Sequence, residues 1–204
     1  MTEMPMFPLG SVLFPHMPLQ LRVFEERYLV MMGRILNSDA PEFGVVLIER
    51  GQEVGGGEKR FGVGTIALVS ELSAGEGFIG LLAAGGTRFE VAEWLGDSPY
   101  PLADVRPLPD LEFDETHEPL RARAEAAVRR SLALASEFTD QQWAADVGLS
   151  DDPVASAWQL AAICPVGPLD QVSLLASRTM EELLTRVIEF ATNAGDAFSL
   201  PWEQ

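Results

Sequence analysis

The sequence is poor in cysteine, histidine and long apolar runs. Cys164 is the only cysteine in 204 residues, which excludes an intrachain disulfide and a cysteine-based structural zinc site. The two histidines, His16 and His117, are far apart in the chain, and we expect them on surface turns rather than at a metal. No apolar run approaches the roughly 20 residues that span a bilayer. We therefore expect no metal, no cofactor and no membrane-spanning helix.

The N-terminus lacks the features of a secretory signal. Residues 1–5 carry no positively charged start and are not followed by a long apolar segment, so a signal peptide is not expected. A single cysteine is also typical of proteins in a reducing compartment. Together these observations predict a cytoplasmic protein.

Positive charge is scarce. The chain has 31 acidic and 14 basic residues, a formal net charge of −17, and Lys59 is its only lysine. Neither the first 110 residues nor the remainder is basic, which disfavours nucleic acid and anionic membranes as partners. RNA binding stays an alternative only if the basic residues of the first part cluster on one surface. These residues are Arg22, Arg27, Arg34, Arg50, Lys59, Arg60 and Arg88.

Residues 1–110 are rich in glycine, valine, phenylalanine and proline, with short apolar runs between turn signals, a pattern typical of a β-rich domain. The predicted strands are residues 12–14, 19–24, 43–48, 63–72, 78–84, 87–95 and 100–108. Helical periodicity predicts one helix over residues 25–36. We expect a hairpin turn at Gly85-Gly86, a mobile loop over 49–59, and an edge or bulged last strand because of Pro101.

After residue 110, glycine becomes rare and alanine common, and the apolar spacing becomes helical. Pro119 suits the first turn of one helix, and Asp152 is placed to cap a second that begins at Pro153. Thr179 and Glu182 have the spacing of a capping box before a final long helix. The pattern predicts three or four packed helices over residues 111–195 and a tail over 196–204.

Several short motifs follow one another in an order that resembles a known family. They are the proline-rich start FPLGSVLFPHMPLQLRVFEERYLVMM over 7–32, FGVV at 43–46, VGTIA at 63–67, GTRFEV at 86–91 and the strand 100–108. This series resembles the N-terminal substrate-binding domain of the Lon ATP-dependent protease family. The resemblance implies an α+β fold: a PUA-like β pseudo-barrel with one helix over residues 1–110, followed by the helical subdomain.

The Lon domain precedes an ATPase and a peptidase, whereas this chain ends before either. The phosphate-binding pattern G-x-x-x-x-G-K-[ST] does not occur, because the only lysine lies in Gly57-Glu58-Lys59-Arg60. We expect Lys59 to be solvated, and so unable to act as the base of a Ser–Lys dyad. The resemblance therefore implies a non-enzymatic module that binds unfolded or exposed polypeptide segments, or an accessory factor to a protease or chaperone.

The resemblance also suggests where a peptide would bind, in a groove beside the β-domain or between it and the helices. The candidate lining residues are Phe14, Pro15, Met17, Phe24, Arg27 and Tyr28. For Arg27 a structural role with Glu25 at the start of the helix is favoured over peptide contact. We expect Phe89 in the core with Arg88 pointing outward. An enzyme with an unrecognised site and tryptophan-mediated self-association are the remaining hypotheses.

Overall fold

The structure is a computed structural model that describes residues 2–38, 40–50 and 59–199. The chain forms two compact units, Met1–Asp110 and Leu111–Gln204. Residues 51–58 of the expected loop over 49–59 and the chain end from 200 to 204 lie outside the described residues, while residues 49, 50 and 59 belong to strands.

The described residues of the first unit form a six-stranded sheet with one helix. Its elements are β1 (Thr2–Leu9), β2 (Pro18–Val23), α1 (Glu26–Ile35), β3 (Glu42–Arg50), β4 (Lys59–Gly75), β5 (Phe78–Gly96) and β6 (Leu102–Pro107). The strand order is β2-β5-β4-β3-β1-β6, and β5 also pairs with β6. This additional pairing closes five strands into a barrel.

Strand β5 belongs to two substructures, because its two halves have different partners. Residues 79–84 pair with β2 and residues 89–96 pair with β6, while β4 lies along the other side of β5. The second half of β5 therefore closes the barrel. The first half forms an open, three-stranded extension with β2 and with residues 68–75 of β4, which we call the arm. The α+β fold with a β pseudo-barrel, predicted from the sequence, is confirmed.

The barrel core follows the two-residue alternation of the strands. Its central buried residues are Met4, Met6, Val46, Phe89, Ala103 and Val105. Helix α1 adds a buried stripe at helical spacing: Tyr28, Met31, Met32 and Ile35. Removing each large apolar side chain of this kind from water contributes about 1.5–3 kcal/mol. The predicted core positions of Phe89 and of α1 are confirmed.

The first strand differs from the sequence-based prediction. Residues 12–14 are not a strand, and the chain instead begins with β1, which pairs in parallel with β3 and antiparallel with β6. Two prolines in β1 conceal its strand character from a propensity-based reading. Residues 13 and 14 are buried because this connection lies against the sheet, where Leu13 O accepts a hydrogen bond from Thr65 Oγ1 at 2.6 Å.

The predicted turn at Gly85-Gly86 is wrong, because β5 runs through it without a break. Gly85 instead allows a close backbone approach: a Cβ atom there would lie 2.0 Å from the carbonyl oxygen of Phe14. Its amide donates to Met17 O at 2.8 Å, and its carbonyl accepts from His16 N at 2.8 Å. The hairpin turn lies between β4 and β5, where Gly77 has a φ of 77°.

The sequence predicts that the last strand is an edge or a bulged strand. Strand β6 is not an edge strand, since it pairs with both β1 and β5, but its pairing with β5 contains two register shifts, which agrees with the bulged alternative. Arg88 does not point into solvent, because it is only 4% exposed. Its Nη2 donates to Pro109 O at 2.8 Å, and Leu108 N donates to Arg88 O at 2.8 Å. Arg88 thus holds the chain where it leaves the barrel.

Up to residue 199, where the description ends, the second unit forms four α-helices: α2 (Glu118–Ser136), α3 (Pro153–Ile163), α4 (Pro168–Leu175) and α5 (Met180–Ser199). The Asp152 side chain accepts from Ala155 N at 2.7 Å, as predicted. Thr179 Oγ1 accepts from Glu182 N at 3.1 Å, but the Glu182 side chain accepts from Arg178 N at 2.7 Å, one residue before the partner that a capping box requires. Helix α5 continues to Ser199, past residue 195 where we expected it to end. None of the described helices has an apolar stretch long enough to cross a bilayer.

Candidate functional site

The structure separates the six predicted peptide-contacting residues into buried and accessible groups. Phe14 and Tyr28 are each 1% exposed, and Pro15 and Met17 are also buried. These four side chains therefore belong to the interior of the first unit and are not available to a ligand. Phe24, by contrast, is 58% exposed.

Arg27 is engaged by its own neighbours at the start of α1. Its Nε donates to Glu25 Oε2 at 3.1 Å, and its Cζ lies 4.4 Å from the centroid of the Tyr28 ring. The Arg27 side chain is only 16% exposed. These contacts fix the connection between β2 and α1, and they support the structural interpretation of Arg27.

The arm has a solvent-facing side with an open cleft. Gln20 lies opposite Leu82 and Arg22 opposite Gly80 across the β2–β5 pairing, so these residues share one face. The cleft measures about 490 Å³, with Gly80 between the rows of β2 and β4. Arg22 covers one end, with its Cζ 4.1 Å from the centroid of Phe78. Cleft and ring together provide space and apolar surface for a ligand chain.

Large apolar side chains are exposed around this arm. Phe24 follows β2 directly, while Leu68 (45% exposed) and Leu72 (41% exposed) lie on the arm segment of β4. Single exposed apolar residues are common on soluble proteins. Of these three residues Leu72 lines the cleft, whereas Leu68 lies opposite Ala84 and Phe24 follows the end of β2. The sequence predicted Phe24, but the periodicity of the strands did not identify Leu68 or Leu72.

Four of the seven basic residues considered for RNA binding make polar contacts with other protein groups. Arg34 Nη1 donates to Tyr100 Oη at 3.0 Å, and this hydrogen bond raises the pKa of Arg34. Arg60 contacts both carboxylate oxygens of Asp97, at 3.0 and 2.6 Å, and its Cζ lies 4.6 Å from the Trp94 ring centroid. Arg27 and Arg88 are bound as described above, so these four residues are held by contacts within the protein.

A second cleft, of about 710 Å³, lies in the helical unit. Its charged residues are largely paired: Arg121 donates to Glu118 at 2.5 and 2.9 Å, which lowers the pKa of Glu118. Arg129 donates to Glu125 at 2.9 Å and to Ala145 O at 2.7 Å. These bonds tie the connection between α2 and α3 to α2, which is a structural role.

Among the described residues, neither histidine belongs to a group of side chains arranged to hold a metal. His16 is exposed in a turn, with a φ of 61°. His117 Nδ1 accepts from Asp114 N at 3.1 Å in a capped turn before α2. The described part of the chain contains no group of three or more His, Cys, Asp or Glu side chains arranged to hold a metal.

Burial makes Cys164 unreactive. Burial raises the pKa of its thiol to about 12, so that almost none of it is thiolate at pH 8. We expect the folded protein to react with an aromatic disulfide reagent at least ~10-fold more slowly than urea-unfolded protein. Absorbance of the released thiolate measures both rates. Fast stoichiometric labelling of the folded protein would contradict this burial.

The sequence matches the family model of the ATP-dependent protease La (LON) substrate-binding domain over residues 3–193. The chain belongs to this family. The match extends over both structural units, so the helical unit is part of the LON substrate-binding domain as well as the barrel.

Two curated relatives are similar to the chain in sequence. It is 27% identical over 190 residues to Lon protease 2 of Herpetosiphon aurantiacus, covering 91% of this chain and 23% of the relative. It is 34% identical over 109 residues to Lon protease of Magnetococcus marinus, and this match covers 51% of this chain and 14% of the relative. The chain therefore spans less than a quarter of the length of these two proteases.

Two solved structures share the fold. The Lon N-terminal domain protein from Xanthomonas campestris gives a TM-score of 0.62 at 25% identity, with 93% of this chain and 98% of that one covered. The N-terminal domain of Mycobacterium avium complex Lon protease gives a TM-score of 0.65 at 14% identity, with 94% of this chain and 99% of that one covered. At this identity the match shows a likeness of fold alone.

Proposed function

We propose that this chain binds exposed, unfolded polypeptide segments through the arm and hydrolyses neither ATP nor peptide bonds itself. The observation that carries the proposal is the arm, whose open cleft is lined in part by exposed Leu72 and which also carries exposed Leu68, with exposed Phe24 directly after β2. Membership of the LON substrate-binding family supports it. Folded proteins bury their apolar side chains, so a surface of this kind selects unfolded segments.

The size of the surface limits the affinity. Covering a few partly exposed apolar side chains removes a few hundred Å² from water, at about 25 cal/mol per Å². Association and ordering of a flexible segment oppose this gain by several kcal/mol. Micromolar binding is the expected result, which suits the transient capture of varied substrates.

The negative net charge of the protein adds a preference for cationic segments. With a net charge of −17, the protein attracts cationic segments and repels acidic ones before contact. This attraction is screened by salt, because the Debye length is only about 8 Å at physiological ionic strength. The association rate for cationic ligands should therefore fall as salt rises, whereas the apolar part of the affinity should persist.

Calorimetry with reduced, alkylated and unfolded proteins tests this function. We expect micromolar binding for unfolded chains, faster stopped-flow association for cationic than for acidic ones at low salt, and no binding of the same proteins when folded. ATPase and peptidase assays on the same material should show no turnover. Absence of heat and saturation across the unfolded panel would refute peptide binding, and turnover would refute the non-catalytic role.

A further inference from the structure

The outer edge of β2 is open to a further strand. Strand β2 stands at one end of the strand order and pairs only with β5 among the described strands. Its residues Pro18, Gln20 and Arg22 are all exposed. An edge of this kind presents a row of backbone donors and acceptors that another extended chain can complete.

The hydrogen bonds beside β2 fix which backbone groups point outward. Gly85 N donates to Met17 O at 2.8 Å, so Met17 and Gly85 are a hydrogen-bonded pair of the antiparallel ladder. Because this pattern alternates along antiparallel strands, Leu19, Leu21 and Val23 direct their N–H and C=O groups to β5. Pro18, Gln20 and Arg22 direct theirs to the open edge.

The position of Pro18 agrees with this alternation of backbone directions. A proline lacks an N–H and is tolerated in a strand where that group would face away from the ladder. The open edge consequently offers two donors, from Gln20 and Arg22, and three acceptors, from Pro18, Gln20 and Arg22. Phe24 directly follows Val23, the last residue of β2, and its exposed ring provides apolar surface for a neighbouring side chain.

We infer that an extended polypeptide segment of net positive charge adds to the arm as a fourth strand along the outer edge of β2. This mode of binding rests on the proposed function and specifies it. Recognition comes mainly from backbone hydrogen bonds, which every extended sequence except one rich in proline can make. Alternate side chains of the segment then lie on the Phe24 side of the arm and set a preference for apolar residues there.

The charges around the edge favour a cationic segment. Residues 18–27 and 68–84 contain four carboxylates and two arginines, and one of the arginines is already paired with Glu25. A second copy of this chain is a poorer occupant of the edge, since two molecules of charge −17 repel each other. Light scattering at the concentrations used for binding should therefore show no self-association through β2.

The arm has another edge, on β4, that is less suitable. Val69 N donates to Pro41 O at 3.0 Å, which occupies the start of this edge. The register then shifts between Val69 and Glu71, a bulge that bends the strand and interrupts its ladder. A regular strand cannot follow such an edge as well as it follows β2.

Backbone methylation of the ligand tests the inference directly. The probe is a fluorescent peptide of alternating valine and lysine, compared with one N-methylated at every valine and one at every lysine. In an added strand, only the amides of every second residue face β2. One methylated peptide should therefore lose at least ~10-fold in affinity, while the affinity of the other stays near that of the parent peptide. Equal losses in both would overturn strand addition.

A pair of variants tests the protein side. Gln20→Pro removes an outward donor without removing a bond to β5, whereas Gln20→Ala removes only the side chain. We expect the proline variant to bind the parent peptide several-fold more weakly than the alanine variant, with both retaining the wild-type Tm within a few degrees. Equal affinities of the two folded variants would contradict the inference.

The outcomes separate this inference from the function on which it depends. If the parent peptide binds and methylation of the valines and of the lysines has the same effect, strand addition is refuted and peptide binding is not. No binding of the parent peptide or of any unfolded protein would refute both. A dimer that Gln20→Pro dissociates would assign the edge to a second copy and overturn the assignment to a peptide.

Discussion

Gly85→Ala should destabilise the first unit by about 3 kcal/mol or more, one of the largest effects expected in this chain. The added Cβ would lie 2.0 Å from the carbonyl oxygen and 2.9 Å from the carbonyl carbon of Phe14. Neither atom belongs to a flexible side chain, so relief requires the backbone to separate and the bonds of Gly85 with His16 and Met17 to lengthen. Thermal unfolding should show a Tm lower by about 10 °C.

Gly62→Ala is the matched control for this substitution. Gly62 also lies in a strand, but it is exposed, and no atom lies within 4 Å of its added Cβ. Its unfolding free energy should stay within about 0.5 kcal/mol of wild type. A Gly85→Ala protein as stable as this control would show that β5 does not pass so close to residues 14–17.

Phe14→Ala and Phe24→Ala should have opposite consequences for stability and binding. Phe14 is 1% exposed, so its truncation leaves a cavity and should cost about 3–5 kcal/mol of unfolding free energy. Phe24 is 58% exposed, so its truncation should leave stability within about 0.5 kcal/mol. Affinity for unfolded chains should fall about tenfold in Phe24→Ala, as for a central contact residue.

Chemical denaturation and calorimetry on both variants measure these effects, with Leu169→Ala as control. Leu169 is 67% exposed and belongs to α4 of the helical unit, so its truncation changes an exposed apolar residue that is not part of the arm. Leu169→Ala should alter neither the unfolding free energy nor the affinity for unfolded chains. Equal affinities of Phe24→Ala and wild type would exclude Phe24 from the binding surface, whatever the outcome for Phe14.

Much of the fold could be predicted because it is expressed in local patterns. The period of 3.6 in α1 and the Asp152-Pro153 start of α3 each depend on residues close in sequence, and the structure places both as expected. The change from glycine-rich to alanine-rich sequence lies at the boundary between the two structural units. The series of motifs also identified the family, because their order is retained even where single motifs are unspecific.

The errors lie where distant segments meet. Gly85-Gly86 has the composition of a turn, yet its glycines serve a close approach to a segment about 70 residues earlier. Arg88 alternates with core Phe89 and should have been exposed, but the chain leaving β6 covers it and supplies a carbonyl acceptor. Neither contact has a local signature.

For the candidate site, the sequence determined which aromatic and apolar residues surround the start of α1, and the family to which the chain belongs. The tertiary structure alone decided that Phe14 and Tyr28 are interior, that Phe24 is at the surface, and that β2 keeps an unpaired edge. The physical reason is that hydrophobicity is a property of each side chain, whereas exposure and strand pairing depend on which distant segment covers it.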